Sequence, residues 1–299
     1  MSPHEDIRIG TIVPAGPHTI SYLEQIAPHG FESYQLVFDK HLADVDLNQL
    51  AHDVKKFLAL ADREMVISSL GVYGNPLEDK QTQLSWFKLI EKAEAFGCNM
   101  VCGFAGRLTD KPISESYGRF GEVFRPMARQ AEDMGVRIAF ENCNMGGDWE
   151  KGEWNIAHAP VAWEAMFSEV PSDALGLEWE PCHQMVSLID PLPQLREWVS
   201  KVYHVHGKDA TVLWDVIRKE GIRSGKDYVY HRTPGFGDTN WSDVISILRM
   251  NGYQGTIDIE GWHDPVYHSE LEMTGQVHAL NYLKTCRGGP FIPNPRMED

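Results

Sequence analysis

Short apolar runs alternate with longer segments of helical periodicity along most of the chain. In residues 46–62, for example, Leu47, Leu50, Val54, Leu58 and Ala61 recur at intervals of three or four, which predicts an amphipathic helix. The apolar runs predict eight strands, at residues 8–13, 31–38, 64–70, 98–104, 136–142, 175–180, 202–206 and 256–260. The periodic segments predict eight helices, at residues 19–27, 46–62, 79–96, 114–134, 161–169, 190–200, 241–251 and 268–285. This alternation is typical of a parallel sheet with crossover helices.

The number of strand–helix units predicts how the sheet closes. Eight units in 299 residues favour a closed (β/α)₈ TIM barrel that forms a single domain over residues 1–299. In such a barrel the functional site lies at the carboxyl ends of the strands. An open doubly wound sheet is the alternative, but no G-x-G-x-x-G motif follows the first predicted strand, so a dinucleotide site is not indicated.

Two segments fall outside this alternation. The connection at about residues 207–240 is too long for an ordinary strand–helix loop, and we expect it to act as a functional lid. The proline-rich tail at about residues 288–299 is expected to pack on the surface or to be disordered.

The composition is that of an ordinary soluble globular protein, with 42% hydrophobic and 23% charged residues. Asp and Glu number 43 against 27 Lys and Arg, and the resulting net charge of −16 disfavours binding to duplex DNA or to an anionic membrane. No apolar run approaches transmembrane length, no signal peptide is indicated before Ile7, and the five cysteines form no C-x-x-C motif. We expect a cytoplasmic protein with free thiols that binds a small molecule rather than nucleic acid or membrane. We also expect a homo-oligomer.

The segment at residues 175–183, L-G-L-E-W-E-P-C-H, predicts a buried strand that stops at a polar edge. Pro181 ends the strand because it supplies no ladder N–H. Side chains alternate along a strand, so Glu178 and Glu180 point the same way. Either both carboxylates face solvent on an exposed edge strand, or they are buried and need a partner or a cation. The segment alone does not decide between the two.

Four consecutive predicted strands end in a side chain that can bind a metal. These residues are Glu141, Glu180, His206 and Glu260. Each alone fits a solvated strand end, but a barrel brings four successive strand ends together over a common centre. Three carboxylates and one imidazole favour Mn²⁺, Co²⁺ or Mg²⁺ over a structural zinc, while a catalytic zinc stays open.

Five short motifs carry a resemblance to a known family. They are F-E-N-C-N at 140–144, E-P-C-H at 180–183, H-V-H-G-K-D at 204–209, G-F-G-D-T-N-W at 235–241 and I-D-I-E-G at 257–261. By the order and spacing of these motifs, the chain resembles the xylose-isomerase-like TIM-barrel family, which includes sugar-phosphate isomerases and ketose 3-epimerases. The resemblance implies a sugar substrate. It also implies that Glu141, Glu180, His206 and Glu260 hold one divalent metal, for which Mn²⁺ is our first choice, and that Glu141 and Glu260 form the acid/base pair.

Four further residues are predicted to bind the substrate. The resemblance implies that His183 binds a substrate oxygen and that Asn144 supports the loop around it. Lys208 and Arg232 lie in the long connection, and Arg232 is the candidate for an anionic group of the substrate.

Two positions depart from the family pattern. The family usually has Asp where Glu180 stands, which bears on metal distance or selectivity. Ketose 3-epimerases carry a further Glu six residues after the first metal-binding Glu, where this chain has Gly147. A simple ketose 3-epimerase assignment therefore does not follow.

Three reactions stay open for such a site. A metal bound by a sugar carbonyl and the neighbouring hydroxyl acidifies the C–H between them and stabilises an enediolate. Proton return to the opposite face gives epimerisation, and proton return to the adjacent carbon gives isomerisation. Loss of a β-leaving group instead makes the enzyme a lyase or dehydratase that acts on a keto-sugar or keto-inositol. We favour the isomerase or epimerase.

A phosphodiesterase similar to AP endonuclease family 2 is a further alternative. Such an enzyme has three zinc ions and more His and Asp ligands, and the acidic charge and the small ligand set of this chain disfavour it.

A second group of ionisable residues is predicted beneath the metal. Glu178, His204 and Asp258 each lie two residues before a predicted ligand, and strand alternation places them one layer deeper on the same face. We predict that His204 lies between the two carboxylates and that the trio orients the ligands above it. The alternative is that Glu178 is itself the metal ligand. By the same alternation, Trp179 and Trp262 are predicted to point outward into the strand–helix layer.

Overall fold

The computed structural model describes residues 6–42, 44–290 and 292–295, and its centre is a closed barrel of parallel strands. The barrel strands are β1 (Arg8–Pro14), β2 (Ser33–Val37), β3 (Val66–Val72), β4 (Met100–Gly103), β5 (Arg137–Glu141), β6 (Leu175–Trp179), β7 (Val202–Gly207) and β10 (Thr256–Ile259). They follow one another around the barrel in chain order, and β10 pairs with β1 to close the sheet. The predicted (β/α)₈ TIM barrel is confirmed.

Helices follow the barrel strands, and local sequence signals set many of their ends. In the described residues they are α1 (Thr19–Ile26), α2 (Leu47–Leu60), α3 (Lys80–Phe96), α4 (Ser116–Met134), α5 (Pro160–Glu169), α6 (Cys182–Val186), α7 (Pro191–Trp198), α8 (Trp214–Glu220), α9 (Trp241–Met250) and α10 (Glu272–Cys286). The Asp46 and Asp79 carboxylates accept hydrogen bonds from first-turn amides of α2 and α3. Gly97 and Gly135 end α3 and α4 with φ of 79° and 65°, in the left-handed region that glycine tolerates. None of the described helices is long and apolar enough to cross a membrane.

The main apolar core lies between the strands and the helices. Phe140 of β5 packs against Phe120 and Phe124 of α4, with ring centroids 5.5 and 4.8 Å apart. Burying a side chain of this size contributes about 1.5–3 kcal/mol to folding. Trp179 of β6 lies in the same layer, as predicted, and its indole N–H donates to Gln194 Oε1 at 2.9 Å. The outward faces of the strands therefore anchor the helices and leave the inward faces to the site.

The long connection after β7 has secondary structure of its own. β8 (Asp209–Val212) pairs antiparallel with β9 (Val229–Arg232), and α8 lies between them. The short helix α6, which the hydrophobic pattern does not predict, contacts both strands of this hairpin. In the predicted tail, residues 292–295 are exposed and belong to no helix or strand, while residues 291 and 296–299 lie outside the described residues.

Candidate active site

The carboxyl ends of the barrel strands surround a cavity with a volume of about 720 Å³. Small-molecule sites span roughly 300–1,000 Å³, so this cavity is large enough for a sugar. The predicted site residues that line it are Glu141, Asn144, His183, His206, Lys208 and Glu260. Glu180 and Arg232 do not line it.

Glu141, His206 and Glu260 form a compact group at this cavity. Each ends a barrel strand or lies next to its end, and their side chains are almost completely buried. One ligand atom from each residue lies within 4.8 Å of the other two. His206 Nδ1 is 3.3 Å from Glu260 Oε2 and 3.8 Å from Glu141 Oε1. Two carboxylates and one imidazole therefore converge closely enough to hold one metal ion.

Gln35 of β2 orients His206 from the barrel interior. Its amide N–H groups donate to Glu178 Oε1 at 2.6 Å and to the Tyr73 hydroxyl at 3.0 Å. A carboxylate only accepts, so the amide nitrogen must face Glu178 and leave Gln35 Oε1 to accept from His206 Nε2 at 2.7 Å. Nε2 of His206 is therefore a donor, and Nδ1 is directed toward Glu141 and Glu260. Sequence reasoning missed Gln35, although a polar residue inside an apolar run is the signal that would have found it.

Replacing Gln35 by Met is expected to lower the affinity for Mn²⁺ about 10–100-fold, because it removes a support of the ring of His206, a predicted metal ligand. Met has nearly the same length but offers His206 no acceptor. Calorimetric titration of the metal-free protein measures the change. Gln25→Met, the same substitution at an exposed position of α1, is the control and should leave the affinity unchanged. Equal affinities in the Gln35 variant and the wild type contradict this role.

Glu180 lies apart from the group of three. Its backbone N–H donates to Asn142 Oδ1 at 2.8 Å, and Asn142 Nδ2 donates to its carbonyl at 2.8 Å, so the chain after β6 is tied to the chain after β5. The Glu180 carboxylate is fully buried and contacts the His183 ring at Nδ1. His183 Nε2 lies 3.2 Å from the Cys143 thiol. The structure thus brings three of the four predicted ligands together, and the metal-binding role of Glu180 stays a prediction.

Several buried polar atoms around the cavity have no hydrogen-bond partner, and these atoms test whether a cation fits. They include His206 Nδ1, Glu260 Oε2 and Glu180 Oε2, together with Nδ1 of His183 and of His231. An unpaired buried carboxylate or imidazole atom costs about 1–3 kcal/mol or more, so such atoms are rare without a ligand. Carboxylate oxygens and an imidazole nitrogen are donors that Mn²⁺ and similar cations accept. The residues present therefore fit a divalent metal.

Glu141 and Glu260 have opposite electrostatic environments. Burial and repulsion from Glu260 and Glu178 raise the pKa of Glu141. Burial also tends to raise the pKa of Glu260. Two cationic neighbours outweigh this effect, the Lys208 ammonium 2.6 Å from Glu260 Oε1 and the His206 ring, and they hold the pKa of Glu260 well below its usual value. Burial disfavours a charge on His206, yet the surrounding carboxylates raise its pKa well above the ordinary value. Without a metal, Glu260 is therefore the ionised carboxylate and Glu141 is the one more easily protonated.

Replacing His183 by Ala is expected to leave most of the metal bound and to weaken substrate binding or turnover about 10–100-fold. The residue lines the cavity but lies outside the group of three, and one lost hydrogen bond to a polar ligand has this magnitude. Elemental analysis and steady-state kinetics measure both properties. His268→Ala, at an exposed position, is the control. A His183 variant that purifies without metal would show that His183 is a ligand.

The layer beneath the cavity has the predicted arrangement. His204 Nδ1 lies 2.9 Å from Glu178 Oε1, and His204 Nε2 lies 2.7 Å from Asp258 Oδ2. Burial opposes a charge on His204, but hydrogen bonds to the two carboxylates outweigh it and raise the pKa of His204. Glu178 Oε1 is also 3.0 Å from His206 Nε2, and Glu178 Oε2 accepts from the Tyr73 hydroxyl at 2.7 Å. The position of His204 between the two carboxylates is confirmed, and both oxygens of Glu178 are already occupied by protein donors.

Two residues, Arg232 and Trp262, have surroundings that differ from those the sequence predicts. Arg232 Nε is 3.3 Å from Asp264 Oδ2, so its charge is paired outside the cavity and the predicted contact with a substrate anion gains no support. The prediction that Trp262 points into the strand–helix layer is wrong, because its side chain lines the cavity and is 47% exposed. β10 ends at Ile259, so strand alternation no longer applies at residue 262. His231 of β9 also lines the cavity, which sequence reasoning missed because the hairpin was not predicted.

The fold and the site define a TIM-barrel protein with a buried carboxylate–imidazole cluster at its strand ends. A family model described as "Xylose isomerase-like TIM barrel" matches residues 23–286. The chain belongs to the xylose isomerase-like TIM-barrel family.

Known proteins similar to this chain include both dehydratases and epimerases. An inosose dehydratase from Clostridium perfringens is 21% identical over 283 residues, which cover 88% of each chain. The solved structure of 3-keto-D-glucoside 4-epimerase from E. coli has a TM-score of 0.69 at 16% identity, covering 94% of this chain and 100% of that one. The structure of the probable 3-DHS dehydratase from Bacillus anthracis has a TM-score of 0.67 at 14% identity, covering 92% and 99%. The two structures share the fold with this chain.

Proposed function

We propose that the protein is a divalent-metal-dependent isomerase or epimerase of a sugar or sugar derivative. The observation that carries this proposal is the convergence of two buried carboxyl groups, Glu141 and Glu260, with His206 at one cavity. A pair of carboxyl groups at one cavity can supply one proton donor and one proton acceptor. Epimerisation and aldose–ketose isomerisation both require that a proton is removed from the substrate at one place and returned at another.

The predicted ligands Glu141, Glu180, His206 and Glu260 would hold the cation, with Mn²⁺ as the first candidate. The unpartnered atoms of three of these residues support the assignment. A bound divalent cation would polarise the substrate carbonyl and acidify the neighbouring C–H. Gln35 would keep His206 Nδ1 directed toward the cluster.

The protein side chains divide the proton transfer between them. Glu260 is ionised and would take the proton from the carbon next to the carbonyl. Glu141 would return a proton to the opposite face or to the adjacent carbon. Lys208 keeps Glu260 charged before the transfer and offers a positive charge to the developing oxyanion. His183 would hold a substrate hydroxyl at the cavity wall.

A dehydratase acting on a keto-inositol or a keto-sugar is the second candidate. The inosose dehydratase that spans 88% of both chains favours it. The chemistry begins with the same proton transfer to Glu260, after which the C–O bond at the β-carbon breaks. Glu141, the proton donor of the pair, would give a proton to the departing hydroxide, which leaves as water.

Incubation in D₂O with a panel of keto-sugars, keto-inositols and their phosphates tests both candidates. The protein is loaded in turn with Mn²⁺, Co²⁺ and Mg²⁺, and the products are followed by NMR and mass spectrometry. Deuterium in a rearranged sugar that has lost no water supports the isomerase or epimerase. A product that has lost one water supports the dehydratase. Absence of exchange across the panel contradicts both. Elemental analysis and light scattering of the purified protein test the predicted manganese and homo-oligomer.

A further inference from the structure

Strands β4 and β5 separate before they reach the cavity. Their shared ladder ends where Gly103 lies opposite Phe140. Glu141, the next residue and the last of β5, lines the cavity and lies opposite Glu178 of β6. Within the described part of the chain, the main chain at Glu141 therefore has a paired strand on the β6 side and not on the β4 side.

The side-chain amide of Asn155 fills the gap between the two strands. Its Nδ2 donates to the carbonyl oxygens of Glu141 at 2.8 Å and of Cys143 at 2.7 Å. Its Oδ1 accepts from the backbone N–H of Ala105, on the chain that leaves β4, at 3.1 Å, and from that of Ala157 at 3.1 Å. The amide thus uses both of its N–H donors and both acceptor positions of its oxygen. It takes the place of a peptide group between the diverging chains.

Burial and backbone contacts hold Asn155 itself in place. The residue is 1% exposed, and its backbone forms a parallel bridge with Gly106. The N–H of Ile156 donates to the Gly106 carbonyl at 3.1 Å. Because Gly106 lies on the chain that leaves β4, Asn155 is fixed to the β4 side, and its Nδ2 carries that fixed position across to Glu141. An apolar side chain of the same size would leave the Glu141 carbonyl unpaired on this side, which costs free energy comparable to a lost hydrogen bond.

We propose that Asn155 is a positioning residue, which fixes the main chain at Glu141 so that the Glu141 carboxyl group converges with His206 and Glu260. This inference rests on the proposed function, in which Glu141 returns the proton. Asn155 does not line the cavity, so it acts through Glu141 rather than on the substrate. A displacement of a reacting group by about 1 Å lowers a rate about 100-fold, so control of the backbone at Glu141 is control of the proton transfer.

Asn155→Asp tests this role with almost no change in shape. The carboxylate still accepts from Ala105, but it places an oxygen instead of an NH₂ group against the carbonyls of Glu141 and Cys143. Calorimetry is expected to show Mn²⁺ binding weakened about 10–100-fold, as for other groups that orient a metal ligand. Deuterium exchange into the substrate should slow about 100-fold. Asn251→Asp is the matched control, because Nδ2 of Asn251 donates to a backbone carbonyl of α9 at an exposed position, and it should change neither quantity.

A double-mutant cycle with Glu141→Gln separates positioning from a general contribution to folding. If Asn155 acts through Glu141, then Asn155→Asp weakens Mn²⁺ binding by no more than about twofold in the Glu141→Gln protein, which is the usual limit for additive effects. If Asn155→Asp does not fold, Asn155→Ser replaces it in the same cycle, since a hydroxyl can still donate to one carbonyl.

Three results overturn the positioning role. They are wild-type Mn²⁺ affinity in the Asn155 variant, an equal loss of affinity with and without Glu141→Gln, and a lower free energy of unfolding with unchanged metal binding and exchange. Exchange by the wild type together with an additive cycle refutes the positioning role and leaves the proposed function standing. A non-additive cycle without exchange into any member of the panel refutes the proposed function, while the coupling of Asn155 to Glu141 stands.

Discussion

Replacing Glu141 by Gln is expected to lower the rate of deuterium exchange into the substrate about 1,000-fold or more. Gln has the same length and keeps an oxygen toward the cluster, but it neither gives nor takes a proton near neutral pH. Loss of a positioned acid or base costs about 100- to 10,000-fold, and a weaker metal site adds to that cost. Glu260→Gln should have an effect of the same order, because Glu260 shares the cluster and is the ionised partner.

Metal content separates the proposed proton-transfer role of Glu141 from its proposed metal-binding role. The rate should fall far more than the bound metal, measured by elemental analysis at saturating Mn²⁺. Glu150→Gln is the control, because it makes the same change at an exposed position in the loop that follows β5. A Glu141 variant with full metal and a rate within severalfold of the wild type removes Glu141 from the acid/base pair.

Replacing His204 by Leu is expected to lower the free energy of unfolding by about 3–5 kcal/mol, since it leaves two buried carboxylates without their shared cationic partner. Glu178 and Asp258 are fully buried, and His204 bonds to both of them. Urea denaturation measures the loss. Metal affinity should fall as well, because Glu178 contacts His206 directly. His204→Gln is the matched variant, whose amide can still donate to one carboxylate, and it should lose less.

The same substitution has a predicted pH dependence. The folded-state pKa of His204 is raised, so its charge contributes stability that is fully present below the unfolded-state pKa of about 6.5 and is lost as pH rises through the folded-state pKa. The stability difference between the wild type and His204→Leu should therefore shrink as pH rises through that value. A variant as stable as the wild type at pH 6, with unchanged metal affinity, contradicts the role of the layer.

Residues that end a barrel strand could be predicted from the sequence, because strand period and barrel closure alone decide where they lie. Glu141, His206 and Glu260 follow from their positions at strand ends, and the inner position of His204 follows from the period of two. Glu180 was harder to place, because it lies just beyond β6, where Asn142 and the unpredicted helix α6 shape the chain. Side-chain direction beyond a strand depends on such tertiary contacts rather than on periodicity.

Contacts between distant strands could not be predicted from local pattern. Gln35 meets His206 across 171 positions of sequence, and nothing near residue 35 indicates that partner. The hairpin of β8 and β9 was predicted only as a long connection, so the arrival of His231 at the cavity was missed. Arg232, predicted for the substrate, instead meets Asp264 because that carboxylate lies in a loop of the last barrel unit.

The polar layer at the barrel axis has a consequence for how the chain folds. Its acidic groups, Glu178 and Asp258, belong to the second half of the barrel, but several of their donors come from the first half. Asp258 accepts from Ser33 at 2.5 Å and also from Ser68, and Glu178 accepts from Gln35 and Tyr73. A fragment holding only the second half would bury these carboxylates without those donors. Autonomous folding of that half as a stable subdomain is therefore disfavoured, and assembly of the two halves should be cooperative.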